Sequence, residues 1–492
     1  MPVHAVAPRS AREITHYDLD TDVLVVGYGC AGAAAAFEAA RAGARVLVLD
    51  RAGGPGGSSA MSGGEIYLGG GTPIQRACGF DDTPEDMAAY LNAALGPGAD
   101  ADKIADYCEH SVEHFHWLVD RGVPFKPSLW DAPAWVPPTD DGLMWLGENS
   151  WPFTEIARPA PRGHRPTAND FGGRLLMQCL TDAVESAGVR TLFDTCATTL
   201  IRTDDGAITG VVARRYGRES TIRVRRGCVL TTGGFVDNDE MLAAHAPLLL
   251  GHTKVSAGTD DGSGIRMAQA AGAAVRHMAT GQVGISLIPG LAARGIVVND
   301  KGVRFVNEDT YPGRIGQAAL FTQGMRVWVV LDEEAFEAVP EQQRWGVRPT
   351  HVADTAEELG AAMGLPPGAL DATLRRYNEF AAGGTDPDQH KAARWLRPLR
   401  SPLAAVDVRA GIRPPAESGD RRGTGASVFT LGGLHTDRQG RVLDLDATPI
   451  PGLFAAGRAA VNLHGLGYIS GTSLGDGTFF GRRAGRAAAQ PH

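Results

Sequence analysis

The chain has 492 residues, 43% hydrophobic and 21% charged, so it is long enough for two or more domains with a large core. A formal net charge of −9, spread along the chain, excludes a nucleic-acid footprint, and no apolar run reaches the length of a membrane span. The six cysteines (Cys30, Cys78, Cys108, Cys179, Cys196, Cys228) form no CxxC pair, which excludes a finger-type zinc site and a disulfide framework and predicts reduced thiols in a cytoplasmic protein with no metal centre.

Residues 1–20 lack a signal-peptide core and read as an arm before the first strand. Val23–Val26 is a short unbroken apolar run, as in a strand covered on both faces. Gly27-Tyr28-Gly29-Cys30-Ala31-Gly32 follows at once, then an alanine-rich helix from Ala33 to Ala42, a stop at Gly43 and a second strand at Arg45–Leu49. The three glycines serve different ends. Gly27 allows the turn, Gly29 lets backbone approach a pyrophosphate, and Gly32 lets helix pack close to strand. The helix N-terminus offers free N–H groups and a positive dipole to phosphates. Asp50 stands eighteen residues beyond Gly32, where a carboxylate accepts hydrogen bonds from a ribose. A strand–helix–strand with these features predicts an α/β dinucleotide domain with a parallel sheet, without saying whether the ligand is nicotinamide or flavin.

Arg51–Gly71 is too glycine-rich for a regular element and reads as a loop wrapped around a flat, polar ligand, with Gly57, Ser58, Ser59, Ser62, Gly63 and Gly64 in it. Thr83–Leu95 and Lys103–Arg121 carry helical spacing. Phe125–Phe153 holds six aromatics in 29 residues against a chain average of 7%, and its prolines forbid a helix. It reads either as a rigid packing loop or as an apolar lid over a bulky hydrophobic substrate. Asp170–Ala187 predicts a helix, and Val189–Phe193, Ala207–Arg214 and Ser220–Leu230 a small antiparallel sheet inserted into the dinucleotide domain. Cys228–Phe235 returns to a strand ending in Gly233-Gly234, and Asp260-Asp261 opens a helix at Ile265–Ala271.

Val297–Asn307 reads as a hairpin, followed by a strand at Val327–Leu331 and helices at Asp354–Met363 and Pro367–Ala382. We expect residues 21–280 and 411–492 to form the two parts of the dinucleotide domain and residues 281–410 an inserted substrate or catalytic domain. Pro451–Gly457 restores the strand-and-glycine character, and Gly465–Gly485 runs from a glycine loop into a closing helix.

Gly27–Gly32 with Asp50, Gly56–Gly64, Thr231–Phe235, and Pro451–Gly457 with Ser473–Gly485 together resemble the fumarate reductase/3-ketosteroid dehydrogenase superfamily of FAD-dependent flavoproteins. The resemblance implies bound FAD, with Gly27, Gly29, Cys30, Ala31 and Gly32 at its pyrophosphate and Asp50 and Arg51 at its adenosine end. Gly57–Ser62, Gly63, Gly64, Gly233, Gly234, Asp261, Gly457, Ser473 and Leu474 would line the rest of the cofactor. Relatives with covalent flavin carry a histidine in the serine-glycine loop; Ser58-Ser59 stand here, which implies non-covalent FAD. No second GxGxxG follows a strand, so NAD(P)H is not expected as a routine partner.

Within the superfamily, dicarboxylate reductases use an arginine shortly after an RF-x-N-E stretch. This chain keeps Arg304-Phe305-Val306-Asn307-Glu308, but Tyr311 stands near the expected arginine and Arg314 lies further along. Tyr468-Ile469-Ser470 before GTSLGDG is most similar to 3-ketosteroid Δ4-(5α)-dehydrogenases. That likeness implies desaturation of a small hydrophobic ketone, a 3-ketosteroid, with electrons leaving to an external acceptor. Tyr468 would donate to the ketone oxygen, helped by backbone N–H at Gly471 or Thr472, and Ser470 or Tyr311 would accept the proton alpha to it. A flavin-dependent enoate or dicarboxylate reductase and a non-catalytic flavin carrier are the alternatives. His164 and His464 read as structural, and Arg409, Arg413, Arg421 and Arg422 as loop charges.

Overall fold

The computed structural model describes residues 7–168, 171–410 and 426–491. Strand β1 (Leu19–Val26) places Val23 and Val25 in one core and Leu24 and Val26 in another, so the apolar run is a strand buried on both faces. Helix α1 (Cys30–Arg41) follows, starting inside the glycine motif rather than at Ala33, and leads to β2 (Val46–Leu49). The parallel strand β3 (Arg190–Leu192) pairs with β2 at the sheet edge.

The expected small antiparallel sheet differs from what forms. Strands β4 (Thr195–Arg202), β5 (Ile208–Arg215) and β6 (Arg218–Leu230) are antiparallel to one another, but β6 is 13 residues long and its second half lies parallel to β1. Val189–Phe193 therefore contributes a parallel edge strand, and Cys228–Leu230 belongs to the same strand as Arg218. One long strand fuses the two sheets, which period-two patterning cannot reveal.

The inserted segment carries strand β7 (Ile296–Asn299), helix α2 (Pro312–Phe321), and strands β8 (Val327–Asp332), β9 (His351–Ala353) and β10 (Leu403–Asp407). They form an antiparallel sheet in the order β7-β8-β10-β9. The Val297–Asn307 hairpin reduces to a turn with one bridge between Val298 and Arg304, because β7 forms its ladder with β8. The chain then returns through β11 (Pro449–Ala455), parallel to β6, to the closing helix α3 (Thr472–Ala488).

Two further differences are local. The helix expected over Lys103–Arg121 breaks at His110 into Ala101–Glu109 and Ser111–Asp120. The helix expected from Asp170 spans Gly173–Ser186, with Asp170 itself outside the described residues.

Helix α3 lies against α1 through Gly477, Gly481 and Gly485; a Cβ at Gly481 or Gly485 would overlap the backbone of Ala31 or Ala35. The alanine richness of α1 and the glycines of α3 thus serve one close helix crossing. Among the described residues, no helix is long and apolar enough to cross a membrane.

Candidate active site

Leu49, Val26, Leu230 and Ala455 are register partners across β2, β1, β6 and β11. Each is followed by one of the glycine or acidic stretches, so segments hundreds of residues apart meet outside the carboxyl ends of neighbouring parallel strands. That crevice is where open α/β sheets bind ligands. Gly27 has φ 105°, and a side chain there would overlap the Thr231 carbonyl; a Cβ on Gly32 would overlap the Gly27 carbonyl. The Thr231 hydroxyl ties the turn by donating to the carbonyls of Val26 (3.0 Å) and Gly27 (2.9 Å).

Asp50 accepts hydrogen bonds from the backbone N–H groups of Tyr28 (2.6 Å) and Ala52 (2.7 Å). Burial raises its pKa, and those two donors pull it back. Arg51 reaches across to Asp261 at 2.5 Å. Ser59 Oγ accepts from the Cys30 N–H at 3.2 Å, and Ser62 Oγ donates to the Ser59 carbonyl at 2.7 Å. Ser58 Oγ accepts from the Ala257 N–H at 3.1 Å. Ala31 is buried in the first turn of α1, and Gly457 packs against it. The Gly63 carbonyl accepts the Gly172 N–H, Gly64 abuts Gly172, Gly233 abuts Asp260, and Gly234 abuts the Thr430 hydroxyl.

These residues fit a flavin dinucleotide. Thr232 Oγ1, Arg458 Nη1, Glu65 Oε1 and Ser473 Oγ are buried without a hydrogen-bond partner of good geometry, three donors suited to phosphates and ring carbonyls and one acceptor suited to a ring N–H or a sugar hydroxyl. Gly57, at φ 48°, faces open space where a side chain would stand. The N-termini of α1 and α3 are capped by Gly29 and Gly471 and carry no cap from those residues' side chains; Cys30 N–H is taken by Ser59 Oγ and Thr472 N–H by the Ile469 carbonyl, which leaves the later first-turn N–H groups for anionic oxygens. Sequence reasoning missed Arg458, Asp260, Thr232 and Glu65. Arg458 immediately follows Gly457 and holds Asp260 at 2.5 Å, so its place after β11 was the available signal.

At the N-terminal end of α3, Tyr311 Oη and Ser470 Oγ are 2.9 Å apart, the first at the start of α2 and the second just before α3. Tyr311 is 2% exposed; burial pushes its hydroxyl well above the usual tyrosine range, and Tyr468 adds to the rise. Burial pushes Tyr468 up to about 12. The Ser473 hydroxyl faces Tyr468 closely enough to pull that value back, without reaching hydrogen-bond geometry. Tyr468 stacks on His464 at 5.5 Å between ring centroids and meets Phe429 edge-on at 5.3 Å. His464 Nε2 is 2.9 Å from Thr472 Oγ1, and burial lowers its pKa to about 3, so the ring is neutral. Thr472 Oγ1 donates to the Ile469 carbonyl at 2.5 Å, and the Gly471 carbonyl accepts the Tyr67 N–H at 3.1 Å. Leu474 is buried in the first turn of α3. Tyr311, Tyr468, Ser470, Gly471, Thr472 and Ser473 are thus brought together, whereas Asp50, Arg51 and Asp261 lie at the sheet's crevice.

The RF-x-N-E stretch, which ends three residues before Tyr311, is itself anchored by buried pairs. Arg304 pairs with Glu308 at 2.6 Å and Asp386 at 2.7 Å, all three nearly or fully buried, and Glu308 also accepts the Val297 N–H. Asn307 donates to the His390 carbonyl at 3.0 Å. Arg314 stacks over Phe153 at 4.6 Å. His164 is buried with Nε2 2.7 Å from Thr72 Oγ1. Arg409 pairs with Asp407; Arg413, Arg421 and Arg422 lie outside the described residues.

The FAD binding domain family matches residues 22–474. A solved structure of 3-ketosteroid-Δ4-(5α)-dehydrogenase from Rhodococcus jostii RHA1, in complex with 4-androstene-3,17-dione, is 50% identical with a TM-score of 0.93, covering 99% of this chain and 100% of that one. A 3-oxo-5-alpha-steroid 4-dehydrogenase of Comamonas testosteroni is 26% identical over 91% of this chain and 94% of its own. A fumarate reductase (cytochrome) of Shewanella frigidimarina is 26% identical over 95% of this chain and 77% of its own.

Proposed function

We propose, from the premise that this chain belongs to the FAD binding domain family, that it is an FAD-dependent dehydrogenase of 3-ketosteroids. It converts a 5α-saturated 3-ketosteroid to the 4-ene by removing a proton alpha to the ketone and a hydride from the beta carbon. The observation that carries this reading is the Tyr311–Ser470 hydroxyl pair beside Tyr468 at the N-terminus of α3. The 50% identical neighbour solved with a 3-ketosteroid supports the same substrate class.

Bound FAD supplies the hydride acceptor. The Tyr468 hydroxyl, kept protonated by burial, donates to the ketone oxygen where enolate charge develops, and the N–H of Gly471 assists, the Thr472 N–H being held by the Ile469 carbonyl at 3.2 Å. Ser470 Oγ takes the alpha proton while passing its own to Tyr311 Oη, and Tyr311 passes its hydroxyl proton on to solvent water, so that one proton leaves the site per steroid desaturated. Neither hydroxyl is a base at its ordinary pKa, so a relay of two is chemically better suited than either alone. The free first-turn N–H groups of α3 favour negative charge at the flavin end of the crevice.

FAD is held without a covalent bond, since Ser58-Ser59 occupy the loop where covalent relatives carry histidine. The inserted domain, taken as 281–410, supplies Tyr311, and the FAD domain, 21–280 with 411–492, supplies Tyr468 and Ser470. An external acceptor removes the electrons, and the cytoplasm is the compartment that six unpaired cysteines suit. The dicarboxylate-reductase reading has less support: Arg304 is committed to Glu308 and Asp386, and Tyr311 stands near the place of the expected arginine. A flavin carrier would leave the hydroxyl pair with no chemistry to perform.

Product analysis tests the proposal. FAD-loaded enzyme with an artificial electron acceptor should convert a 5α-saturated 3-ketosteroid to the 4-ene-3-ketone. Reduction of fumarate by the dye-reduced enzyme, with no steroid turnover, would overturn the assignment.

A further inference from the structure

Trp135 meets the Tyr311 ring edge-on at 6.4 Å between centroids and also lines a cavity of about 160 Å³ between the proline-rich loop and the inserted domain. Its indole N–H donates to the Leu287 carbonyl at 2.8 Å, which fixes the ring beside Ile288 of the opposite wall. Ala134, Ile288 and Val339 make the cavity apolar, Gln343 is a polar group at its wall, and no charged side chain among the described residues lines it. Pro133, Pro137 and Pro138 stiffen the loop that forms one side.

Two aromatics stand at the cavity without burying themselves: Phe171 is 54% exposed and Trp345 41% exposed. Trp345 also has φ 47°, a left-handed conformation that a bulky residue rarely adopts.

We infer that this cavity is a second substrate subsite, taking the hydrocarbon end of the steroid farthest from the ketone, and that Ala134 and Trp135 set the preference for that end. The assignment rests on the ketosteroid reading above. Three observations select this occupant. The cavity adjoins the proton-accepting Tyr311 through a single side chain. Its walls can recognise hydrocarbon but offer no charge for a carboxylate or phosphate. Its volume suits a group of about six carbons, since an apolar cavity of about 150 Å³ accommodates benzene. The preferred substrates therefore carry a branched hydrocarbon side chain on the terminal ring.

The experiment compares two 5α-saturated 3-ketosteroids on the FAD-loaded enzyme, one with a branched side chain of about six carbons and one with only an oxygen there. The wild type should favour the first in kcat/KM. Ala134→Phe fills the cavity from its half-buried loop, and Phe171→Ser opens its rim. Because a single methylene in a hydrophobic pocket discriminates by roughly 10–200-fold, Ala134→Phe should lower the ratio of the two kcat/KM values at least about tenfold. Phe171→Ser should lower it in the same direction by about threefold or more. Retained FAD absorbance reports folding of both variants. A ratio unchanged in both variants, or equal losses on both substrates, would overturn the subsite. A wild-type enzyme inactive on both steroids would instead overturn the ketosteroid reading, and the subsite with it.

Discussion

Tyr311 Oη and Ser470 Oγ meet at 2.9 Å although 159 residues separate them in the chain. The first stands at the start of α2 in the inserted segment, the second just before α3 at the end of the parallel sheet's crevice. Neither hydroxyl has a carboxylate or imidazole of the described residues bonded to it, so each is the other's polar partner. Replacing either should disable proton removal while leaving the adenosine end of the cofactor site intact. Ser470→Ala and Tyr311→Phe are each expected to lower kcat by about 10²–10⁴-fold with FAD retained. Steady-state kinetics and the bound-flavin spectrum check this; a variant within threefold of wild type would remove that residue from the chemistry.

Tyr468 acts by donating, so it must stay protonated. With its pKa pushed up to about 12 by burial, it does so throughout the working range. The pH–rate profile should therefore show no fall from this group between about pH 7 and pH 10, where an exposed tyrosine would already be titrating. Tyr468→Phe should lower kcat by about 10²–10³-fold, the effect of one missing donor to a developing oxyanion. A decline in wild-type kcat near pH 10 that disappears in Tyr468→Phe would contradict this role.

The Arg304, Glu308 and Asp386 cluster fixes the stretch that ends three residues before Tyr311. Its side chains are at most 5% exposed, so removing one partner leaves a buried charge unpaired. Arg304→Met should destabilise the protein by about 3–5 kcal/mol and reduce activity through the displaced Tyr311. Chemical denaturation followed by tryptophan fluorescence measures the first effect. A loss below about 1 kcal/mol would show that the cluster contributes little net stabilisation.

Gly481 lets α3 lie on α1 so closely that a Cβ there would meet the Ala31 backbone. Gly481→Val should push the helices apart at the pyrophosphate end and release FAD. Flavin content after desalting reports this; full retention would mean that the helix crossing tolerates more separation than its packing indicates.

The glycine turn, the alanine-rich helix and the stretches after β6 and β11 were legible in the sequence because backbone approach leaves a compositional trace. Asp50, Gly57, Ser59 and Gly457 could be named for the same reason. The resemblance placed Tyr311 and Ser470 at one site as alternative proton acceptors, but their direct hydrogen bond was not legible, since it depends on how the inserted segment folds back over the sheet. The expected antiparallel sheet failed at β6, where one strand belongs to two pairings and local alternation carries no sign of it. The break at His110 follows from tertiary packing of two short helices, which helical spacing over Lys103–Arg121 cannot register. Arg458 and Glu65 were missed because a single charged residue beside glycines looks like surface until the fold buries it.

The central claim is that the hydroxyl pair takes a proton alpha to a steroid ketone while the flavin is reduced. The most direct measurement is anaerobic mixing of the FAD-loaded protein with a 5α-saturated 3-ketosteroid, following flavin absorbance in wild type and Ser470→Ala. The account predicts rapid bleaching with 4-ene product in the wild type and bleaching slowed at least about 10²-fold in the variant. No bleaching of the wild type by any saturated 3-ketosteroid, or equal rates in both proteins, would contradict it.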